Sequence, residues 1–227
     1  MPHHNTIQQT SDAMGELFIW TDVDPTHEQD FNRWYDLEHM QERAAIPGFH
    51  WSRRYHSKTC ARPYLALYRT ESLKVFTSET YRQAFTKQTD WSVRNFSRMH
   101  NTQRRVAAVT LAYGAGTGAG IALLCLGSFA VAEKALPLCK TLAQTAEGIL
   151  SAKILTPDPG LSTPLPSENT KQRLLEPYLI IDATTLNEAN KAAAAIAAQL
   201  GLPAQACHSF DLLWDLQVGD LQSFKAV

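Results

Sequence analysis

The sequence predicts an α+β protein in which one strand–helix–strand–strand–helix–strand unit occurs twice. Landmarks recur at a spacing near half the chain, which indicates an internal repeat. Gly15 and Gly120 each precede an apolar run, 105 residues apart. The tripeptides Pro63-Tyr64-Leu65 and Pro177-Tyr178-Leu179 each open a strand pattern, 114 residues apart. Helical and period-2 apolar patterns follow in the same order in both halves.

The first half contains the best-marked helix. Asp24-Pro25-Thr26 is a start signal in which Thr26 caps the helix and Gln29 completes a capping box. Pro47-Gly48 ends it, because proline cannot continue the hydrogen-bond ladder. The elements predicted here cover residues 16–23, 26–45, 49–56, 64–70, a helical region 73–99 broken near Thr89-Asp90, and 103–113.

The second half repeats the order with different residues. Its predicted elements cover residues 121–127, 130–147, 150–156, 178–183, 186–200 and 208–216, with a Pro/Ser/Thr-rich loop over 156–167. A βαββαβ unit is ferredoxin-like: an antiparallel sheet with helices on one face. The bare face of each sheet must be covered, and a duplicated chain can cover it by packing its two sheets together. We therefore predict a disordered tail (1–14), a site-bearing repeat (15–113) and a degenerate, structural repeat (114–227).

Composition excludes several functional classes. The 227 residues are 44% hydrophobic and 19% charged with a net charge of −1, so nucleic acid is not an expected partner. The four cysteines are scattered without a CxxC pair, which favours reduced thiols in a cytoplasmic protein over a disulfide frame or zinc site. No metal-ligand motif occurs.

A run of 27 residues without charge, 106–132, has the length of a membrane span. Against that alternative, Gly114, Gly116, Gly118 and Gly120 occupy every second position in its middle, and each costs a helix about 1 kcal/mol relative to Ala. The glycines are therefore predicted to form a linker between two buried strands within the run, 106–113 and 121–126.

The first helix carries ionisable groups on its apolar side. At about 100° per residue, Phe31, Trp34 and Tyr35 share one arc, Glu38 lies in its middle, and His39 flanks it. Desolvation raises the pKa of a carboxylate in such a stripe, and a carboxylate beside a histidine is a pairing found in proton-transfer sites. The structural alternative is that Glu38 bonds a buried backbone group and His39 is a satisfied boundary residue.

Strand alternation predicts which sheet face lines a pocket. Leu17, Ile19, Phe49, Trp51, Leu65 and Leu67 form an apolar face expected under the helices. The opposite face is aromatic, basic and hydrogen-bonding, and it suits an organic ligand with an anionic or carbonyl oxygen; it comprises Phe18, Trp20, Asp22, His50, Ser52, Arg54, His56, Tyr64, Ala66 and Tyr68. Trp20, Tyr64 and Tyr68 alternatively fill the barrel core.

Residues after the helical break complete this prediction. Trp91 and Arg94 follow Thr89-Asp90 and are candidates to close one end of the pocket, the alternative for Arg94 being a solvated helix face. The remaining arginines of this region are expected to be solvated or paired with acids: Arg98, Arg104 and Arg105.

The run WYDLEHMQERAAIPGFHWSRRY, followed by PYLALYRTES, resembles the dimeric α+β barrel superfamily and particularly its EthD-like proteins. Those proteins carry a helix with a Glu-His pair or a lone His, then a Pro-Gly and a strand. The resemblance covers about residues 16–109, and the Glu-His pair is missing from the second half. It implies two ferredoxin-like units that form a barrel with a pocket inside, here as tandem βαββαβ repeats fused into an intrachain α+β barrel. Members include isomerases, lyases, monooxygenases and haem-handling enzymes.

The main functional prediction is a cofactor-independent enzyme that acts on a small organic acid, lactone or aromatic compound by general acid/base chemistry, as an isomerase, lyase or cyclase. His39 is the candidate acid or base, Glu38 its orienting partner, and Tyr68 or Arg54 the group that stabilises an oxyanion. The candidate substrate contacts are Trp20, Trp34, Tyr35, His50, Tyr64, Trp91 and Arg94.

Two alternatives stay open at this point. One is a non-catalytic small-molecule-binding or structural EthD-like protein. The other is a haem-binding or oxygenase member, with His39, His50 or His56 as the axial ligand. The expected partner is a small molecule rather than nucleic acid or a membrane, and the sequence leaves open whether two copies pair as a homodimer.

Overall fold

The computed structural model describes residues 11–223. Residues 1–10 of the predicted tail (1–14) therefore lie outside the described residues. The strands are β1 Gly15–Val23, β2 Phe49–His56, β3 Tyr64–Thr70, β4 Met99–Gly114, β5 Gly120–Cys125, β6 Ile149–Pro157, β7 Tyr178–Ala183 and β8 Cys207–Gln217. The α-helices are α1 Glu28–Trp34, α2 Met40–Ala44, α3 Glu79–Thr86, α4 Asp90–Phe96, α5 Phe129–Thr145, α6 Leu186–Leu200 and α7 Asp220–Ser223. Short 3₁₀ turns cover Pro25–His27, Leu73–Thr77, Thr170–Gln172 and Ala204–Ala206.

The eight strands close into one antiparallel barrel in the order β1-β3-β2-β8-β5-β7-β6-β4. The first unit contributes β4-β1-β3-β2 and the second β8-β5-β7-β6. In both units the order is therefore fourth, first, third and second strand of the unit. The units join at two seams, β2 with β8 and β4 with β6. The predicted fold of tandem ferredoxin-like units in an intrachain barrel is confirmed. Fusion of two ancestral copies stays a prediction.

The glycines of the charge-free run connect two strands, as predicted, although the last residues of the first strand, 109–114, are half-buried or exposed rather than buried. β4 ends at Gly114 and β5 begins at Gly120. Gly118 passes so close to β7 that an added Cβ would lie 1.7 Å from the Ala183 carbonyl oxygen, which explains a glycine there. Within residues 11–223, no helix is both long and apolar enough to cross a membrane.

The barrel interior is filled by side chains of both units. The buried cluster there comprises Phe18, Trp20, Trp51, Tyr55, Leu65, Leu67, Ala107, Ile121, Leu123, Leu155, Tyr178, Ile180 and Phe210. A second core lies between the helices and the sheet of each unit. The barrel is therefore a packed core, and space for a ligand must be sought under the helices.

Part of the predicted face assignment is wrong. Leu65 and Leu67 point into the barrel, whereas Tyr64, Ala66 and Tyr68 join the core under the helices. Alternation shows that a strand has two faces but not which one is inside, and both faces of β3 are apolar or aromatic. On β2 an irregularity in register between Phe49 and Trp51 also breaks the alternation.

The long helix of the first unit also differs in detail. Asp24 rather than Thr26 supplies the cap, since its carboxylate accepts from the Thr26 N–H at 2.9 Å. Between α1 and α2 the residues Tyr35–His39 form a π-helical turn. The helix ends before Gly48, whose φ of +88° is readily adopted only by glycine. The break predicted near Thr89-Asp90 separates α3 from α4.

Candidate functional site

A cavity of about 460 Å³ lies between the helices of the first unit and the outer face of its sheet. A volume of this size suits a small organic molecule. The lining residues are Leu17, Ile19, Tyr35, His39, Arg43, Tyr68, Tyr81, Phe85, Gln88, Val93, Phe96, Ser97, Arg104, Leu165, Pro166 and Ser167. The expected pocket therefore exists on the helix side of the sheet rather than inside the barrel.

The π-helical turn places His39 in the wall of this cavity. A π turn closes its hydrogen bonds from i to i+5, as the Met40 N–H does to the Tyr35 carbonyl, so each residue rotates less than in an α-helix. His39 consequently lies at the centre of the buried face and Glu38 at its edge, the reverse of the sequence prediction. His39 is 6% exposed and stacks on Trp34 at 4.2 Å between ring centroids.

The His39 imidazole is neutral at pH 7. Burial, together with the positive charges of Arg43 and Arg54, holds its pKa well below 6.5. Its Nδ1 is buried, makes no hydrogen bond with a described residue, and lies 3.9 Å from a Glu42 carboxylate oxygen. Burial and the neighbouring Glu38 raise the pKa of Glu42. Glu42 is thus the acid closest to the imidazole.

Two tyrosines face the same space. The Tyr35 ring lies 5.1 Å from the His39 ring and the Tyr68 ring 6.5 Å from it, both edge-on. The Tyr68 hydroxyl is buried beside the Tyr35 phenol and meets no other polar partner among the described residues. Burial raises the pKa of both phenols, so both are neutral donors at pH 7. A ligand oxygen could accept from the Tyr68 hydroxyl.

The second unit closes the cavity with its loop between β6 and β7. Leu165, Pro166 and Ser167 of this loop line the cavity. The loop is anchored by Glu168, whose carboxylate accepts from Arg105 at 2.6 Å and from Arg173 at 3.0 Å. Both units therefore contribute walls to the candidate site.

Arg54 belongs to a separate cleft. Its guanidinium donates to Asn32 at 2.5 Å and Asp36 at 3.3 Å and stacks over Tyr35 at 4.2 Å. This cleft, of about 490 Å³, lies on the other side of Tyr35 and is lined by Glu28, Asn32, Asp36, Arg54, His56, Tyr64, Leu213 and Trp214. Tyr35 thus lies between the main cavity, which holds His39 and Tyr68, and the cleft that holds Arg54 and Tyr64.

The other predicted residues do not line the main cavity. Glu38 accepts hydrogen bonds from Thr89 at 2.6 Å and Ser92 at 3.2 Å, and so fastens the helix to α4. Trp34 supports His39 from behind and donates to Ser92.

The four most distant candidates lie elsewhere. Trp20 lies inside the barrel, where its indole donates to the Arg62 carbonyl. His50 and Arg94 are exposed. Trp91 donates to Asp30 on the outer side of α1. Alternation and proximity in sequence placed them near the pocket, but the helices and the barrel wall intervene.

Sequence reasoning missed two arginines. Arg43 and Arg104 line the cavity and are 5% and 4% exposed. Arg104 was expected to be solvated or paired with an acid, yet its guanidinium binds the Leu161 and Thr163 carbonyls and the Tyr81 hydroxyl instead. Arg43 follows His39 by four residues, a spacing that places side chains on one helix face and could have indicated it.

The described residues offer few ligands for a metal or haem. They contain no group of three or more His, Cys, Asp or Glu side chains that could hold a metal ion. Of the three histidines considered as axial haem ligands, His39 lines the main cavity, His56 lines the second cleft, and His50 is exposed. His39 is therefore the candidate for an axial bond in the main cavity.

No family model and no curated protein matches the sequence. Solved structures do match the fold. An anthrone oxidase-like protein aligns over 92% of this chain and 94% of its own, with a TM-score of 0.59 and 10% identity. A candidate monooxygenase from Lactobacillus acidophilus aligns over 91% and 97%, with a TM-score of 0.56 and 8% identity. A haem-binding protein from Thermus thermophilus aligns over 95% and 96%, with a TM-score of 0.50 and 9% identity.

These likenesses show that the chain shares an α+β barrel fold with monooxygenase-like and haem-binding proteins. At this level of identity they show the fold alone. The three named matches include no isomerase, lyase or cyclase, and the main functional prediction and its alternatives stay predictions. EthD-like membership stays a prediction.

Proposed function

We propose that the protein is an oxygenase that uses O₂ to oxidise a small aromatic compound with an acidic benzylic CH₂ group, such as an anthrone. The cavity under the first unit's helices is the active site. The fold likeness to an anthrone oxidase-like protein and to a candidate monooxygenase supports the reaction class. The geometry around His39 supports the assignment of roles.

The observation that carries this proposal is the neutral, buried imidazole of His39 in an aromatic-lined cavity. Because it is unprotonated at pH 7, it can take a proton from the substrate. The Tyr68 hydroxyl can donate to the oxygen that becomes negative as the proton leaves. Glu42, 3.9 Å from Nδ1, is placed to stabilise the imidazolium that results.

The overall reaction balances with O₂ as the only co-substrate: R₂CH₂ + O₂ → R₂C=O + H₂O. His39 removes one proton and leaves a delocalised carbanion, which transfers electrons to O₂ and forms the new C–O bond. The outer oxygen of the resulting peroxide takes the proton held by His39. The second hydrogen then leaves carbon as a proton to His39 while the O–O bond breaks, and the hydroxide that departs takes this proton and is released as water. The aromatic walls position the planar substrate by stacking.

The test is turnover of anthrone under air, followed by an oxygen electrode and by absorbance of the quinone product, with the rate without protein subtracted. His39→Gln is expected to lower the rate at least about 100-fold, the usual contribution of a general base. The matched control is His27→Gln, since His27 precedes α1 and does not line the cavity. Conversion without O₂ uptake, or equal rates for wild type and His39→Gln, would contradict the proposal.

Haem binding is the second candidate function, favoured by the haem-binding protein among the fold matches and by the histidine in the cavity wall. His39 would be the axial ligand and the cavity arginines would hold the propionates; the bound haem would then supply the redox chemistry. Titration with haemin tests it: a saturable Soret shift that His39→Ala abolishes supports haem binding. A spectrum equal to that of free haemin contradicts it.

A further inference from the structure

We propose that the ligand of the main cavity is an aromatic acid, and that Arg43 and Arg104 bind its carboxylate. This inference deepens the proposed function by naming the substrate class, and it rests on that function for the identity of the site. The proposed function is tested by turnover and the class of ligand by binding, so the two proposals can fail independently.

The first support is that both guanidiniums are buried without an ion-pair partner. Arg43 is 5% exposed and donates one hydrogen bond, to the Ala84 carbonyl at 3.1 Å. Arg104 is 4% exposed and donates to carbonyls, a threonine and the Tyr81 hydroxyl. Neither lies within 4.0 Å of a carboxylate oxygen of residues 11–223. A buried cation without an anion is costly, and a ligand carboxylate would complete the pair.

The acids nearest to them are already engaged or point elsewhere. Glu168 comes within 3.5 Å of the Arg104 backbone N–H, but its carboxylate is shared by Arg105 and Arg173. Glu42, next to Arg43 in sequence, is directed at His39. None of the residues found to line the cavity is Asp or Glu. The described lining is therefore cationic.

Both arginines contact α3, so the anion would lie at the α3 end of the cavity. Arg43 reaches α3 through the Ala84 carbonyl. Arg104 reaches it through the Tyr81 hydroxyl and through the ring of Phe85, whose centroid is 5.5 Å from the guanidinium carbon. The α3 end of the cavity is thus positive, while His39 lies one helical turn before Arg43.

The remaining walls select an aromatic body for this acid. Tyr35, Tyr68, Tyr81, Phe85 and Phe96 line the cavity together with aliphatic side chains. Planar rings pack well against such walls by offset or edge contacts. A carboxylate at the α3 end would direct the rest of the ring system towards His39.

A carboxylate bound to Arg43 would also act on the general base. Arg43 is one of the two charges that lower the pKa of His39. An anion paired with that guanidinium offsets its field, which raises the basicity of the imidazole once the ligand is bound. Binding of the acid would thereby prepare His39 for proton removal.

The experiment is a pair of calorimetric titrations at pH 7 with 2-naphthoate and 2-naphthamide, which have the same ring system and differ in charge. Wild type is expected to bind naphthoate at least about tenfold more tightly, given the strength of hydrogen bonds between charged groups. Equal binding of the two, or tighter binding of the amide, would overturn the proposal.

Variants assign the preference to the two arginines. Arg43→Gln and Arg104→Gln should each reduce the naphthoate-to-naphthamide ratio by about tenfold, whereas the exposed Arg33→Gln on α1 should leave it unchanged. A ratio that survives in both cavity variants would overturn the assignment. If a variant fails to fold, Arg43→Lys keeps the charge without the planar fork, and the wild-type comparison still decides.

Two outcomes distinguish the proposal of an aromatic acid from the proposals of oxygenase activity and of haem binding. Preference for naphthoate without any O₂-dependent turnover would support the ligand class and contradict the oxygenase function. Haemin also carries carboxylates, so a haemin titration forms the second arm. A Soret shift that depends on Arg43 and Arg104, with no naphthoate binding, would assign the arginines to propionates and overturn the proposal of an aromatic acid.

Discussion

Burial and neighbouring positive charges both disfavour protonation of the His39 imidazole. Trp34 stacks on one side of the imidazole and Tyr35 packs edge-on against it. With Arg43 and Arg54 nearby, a proton on this ring would be both desolvated and repelled. The folded protein therefore keeps the ring neutral to a lower pH than the unfolded chain does.

This difference predicts a pH-dependent stability. Below about pH 6.5 the unfolded state binds a proton at His39 that the folded state does not, so the free energy of unfolding falls as pH falls. Relative to His39→Gln, wild type should lose up to about 1.4 kcal/mol per pH unit as the pH falls below about 6.5. Urea unfolding at several pH values measures it. His208 and the carboxyls are common to both proteins and cancel in the comparison, so parallel curves would contradict the prediction.

At the level of single residues, the sequence predicted part of the candidate site. Tyr35, His39 and Tyr68 were expected together and line one cavity. Arg43 and Arg104 were not expected, because an arginine is usually solvated. For Arg104, nothing in the local sequence shows that the carbonyls of Leu161 and Thr163, almost 60 residues later, will bind its guanidinium. Pairing across the fold is not encoded in local spacing.

At the level of elements, one π-helical turn decides which side chain enters the cavity. The sequence was projected at a uniform 100° per residue, which centres Glu38 on the buried arc. Residues Tyr35–His39 rotate less per residue, and His39 takes that position instead. Glu38 is then free to bind Thr89 and Ser92 of the neighbouring helix region. A single irregular turn is invisible to a periodicity argument and yet determines the chemistry of the site.

The loop between β6 and β7 is expected to depend on the buried carboxylate of Glu168 for its stability. Glu168 is buried between Arg105 and Arg173, so Glu168→Gln leaves two guanidiniums without their anion. A loss of about 3 kcal/mol in the free energy of unfolding is expected. Glu79→Gln is the matched control, since its pair with Arg82 is exposed and should cost under about 0.5 kcal/mol.

The same variant should also affect ligand binding, because residues 165–167 line the cavity next to this anchor. Naphthoate affinity should fall in Glu168→Gln and not in Glu79→Gln. Equal stability of the two variants in urea unfolding would show that the loop does not depend on its buried ion pairs.

At the level of the whole molecule, repetition of the βαββαβ order predicted two sheets packed on each other, and the resemblance to the dimeric α+β barrel superfamily implied that they form a barrel. Each unit leaves one apolar sheet face bare, and only the other unit is long enough to cover it. The side of the sheet that holds the pocket was not predictable, because β3 is apolar or aromatic on both faces and β2 has an irregular register. The pocket was consequently expected in the barrel, which is filled by Phe18, Trp20 and their neighbours.

Closure of the barrel buries an ion pair that joins the two units. Lys153 of β6 donates to both oxygens of Glu16 on β1, at 2.8 and 3.1 Å, and Arg69 of β3 binds the same carboxylate. Glu16 is fully buried, and despite its desolvation the two cations hold its pKa below the usual value. The carboxylate is therefore charged in the folded protein and depends on a residue of the other unit.

Lys153→Met should consequently weaken the barrel as a whole. Removing one cation from a buried carboxylate should cost about 3 kcal/mol of the free energy of unfolding, with Arg69 preventing a larger loss. Adding Glu16→Gln should recover part of it, because the amide carries no charge to leave unpaired, and the recovery measures the coupling between the units. Lys191→Met is the control, since its pair with Glu188 lies on the surface of α6. If urea unfolding shows the same small loss for Lys153→Met and Lys191→Met, then apolar packing in the barrel interior, and not this ion pair, holds the two units together.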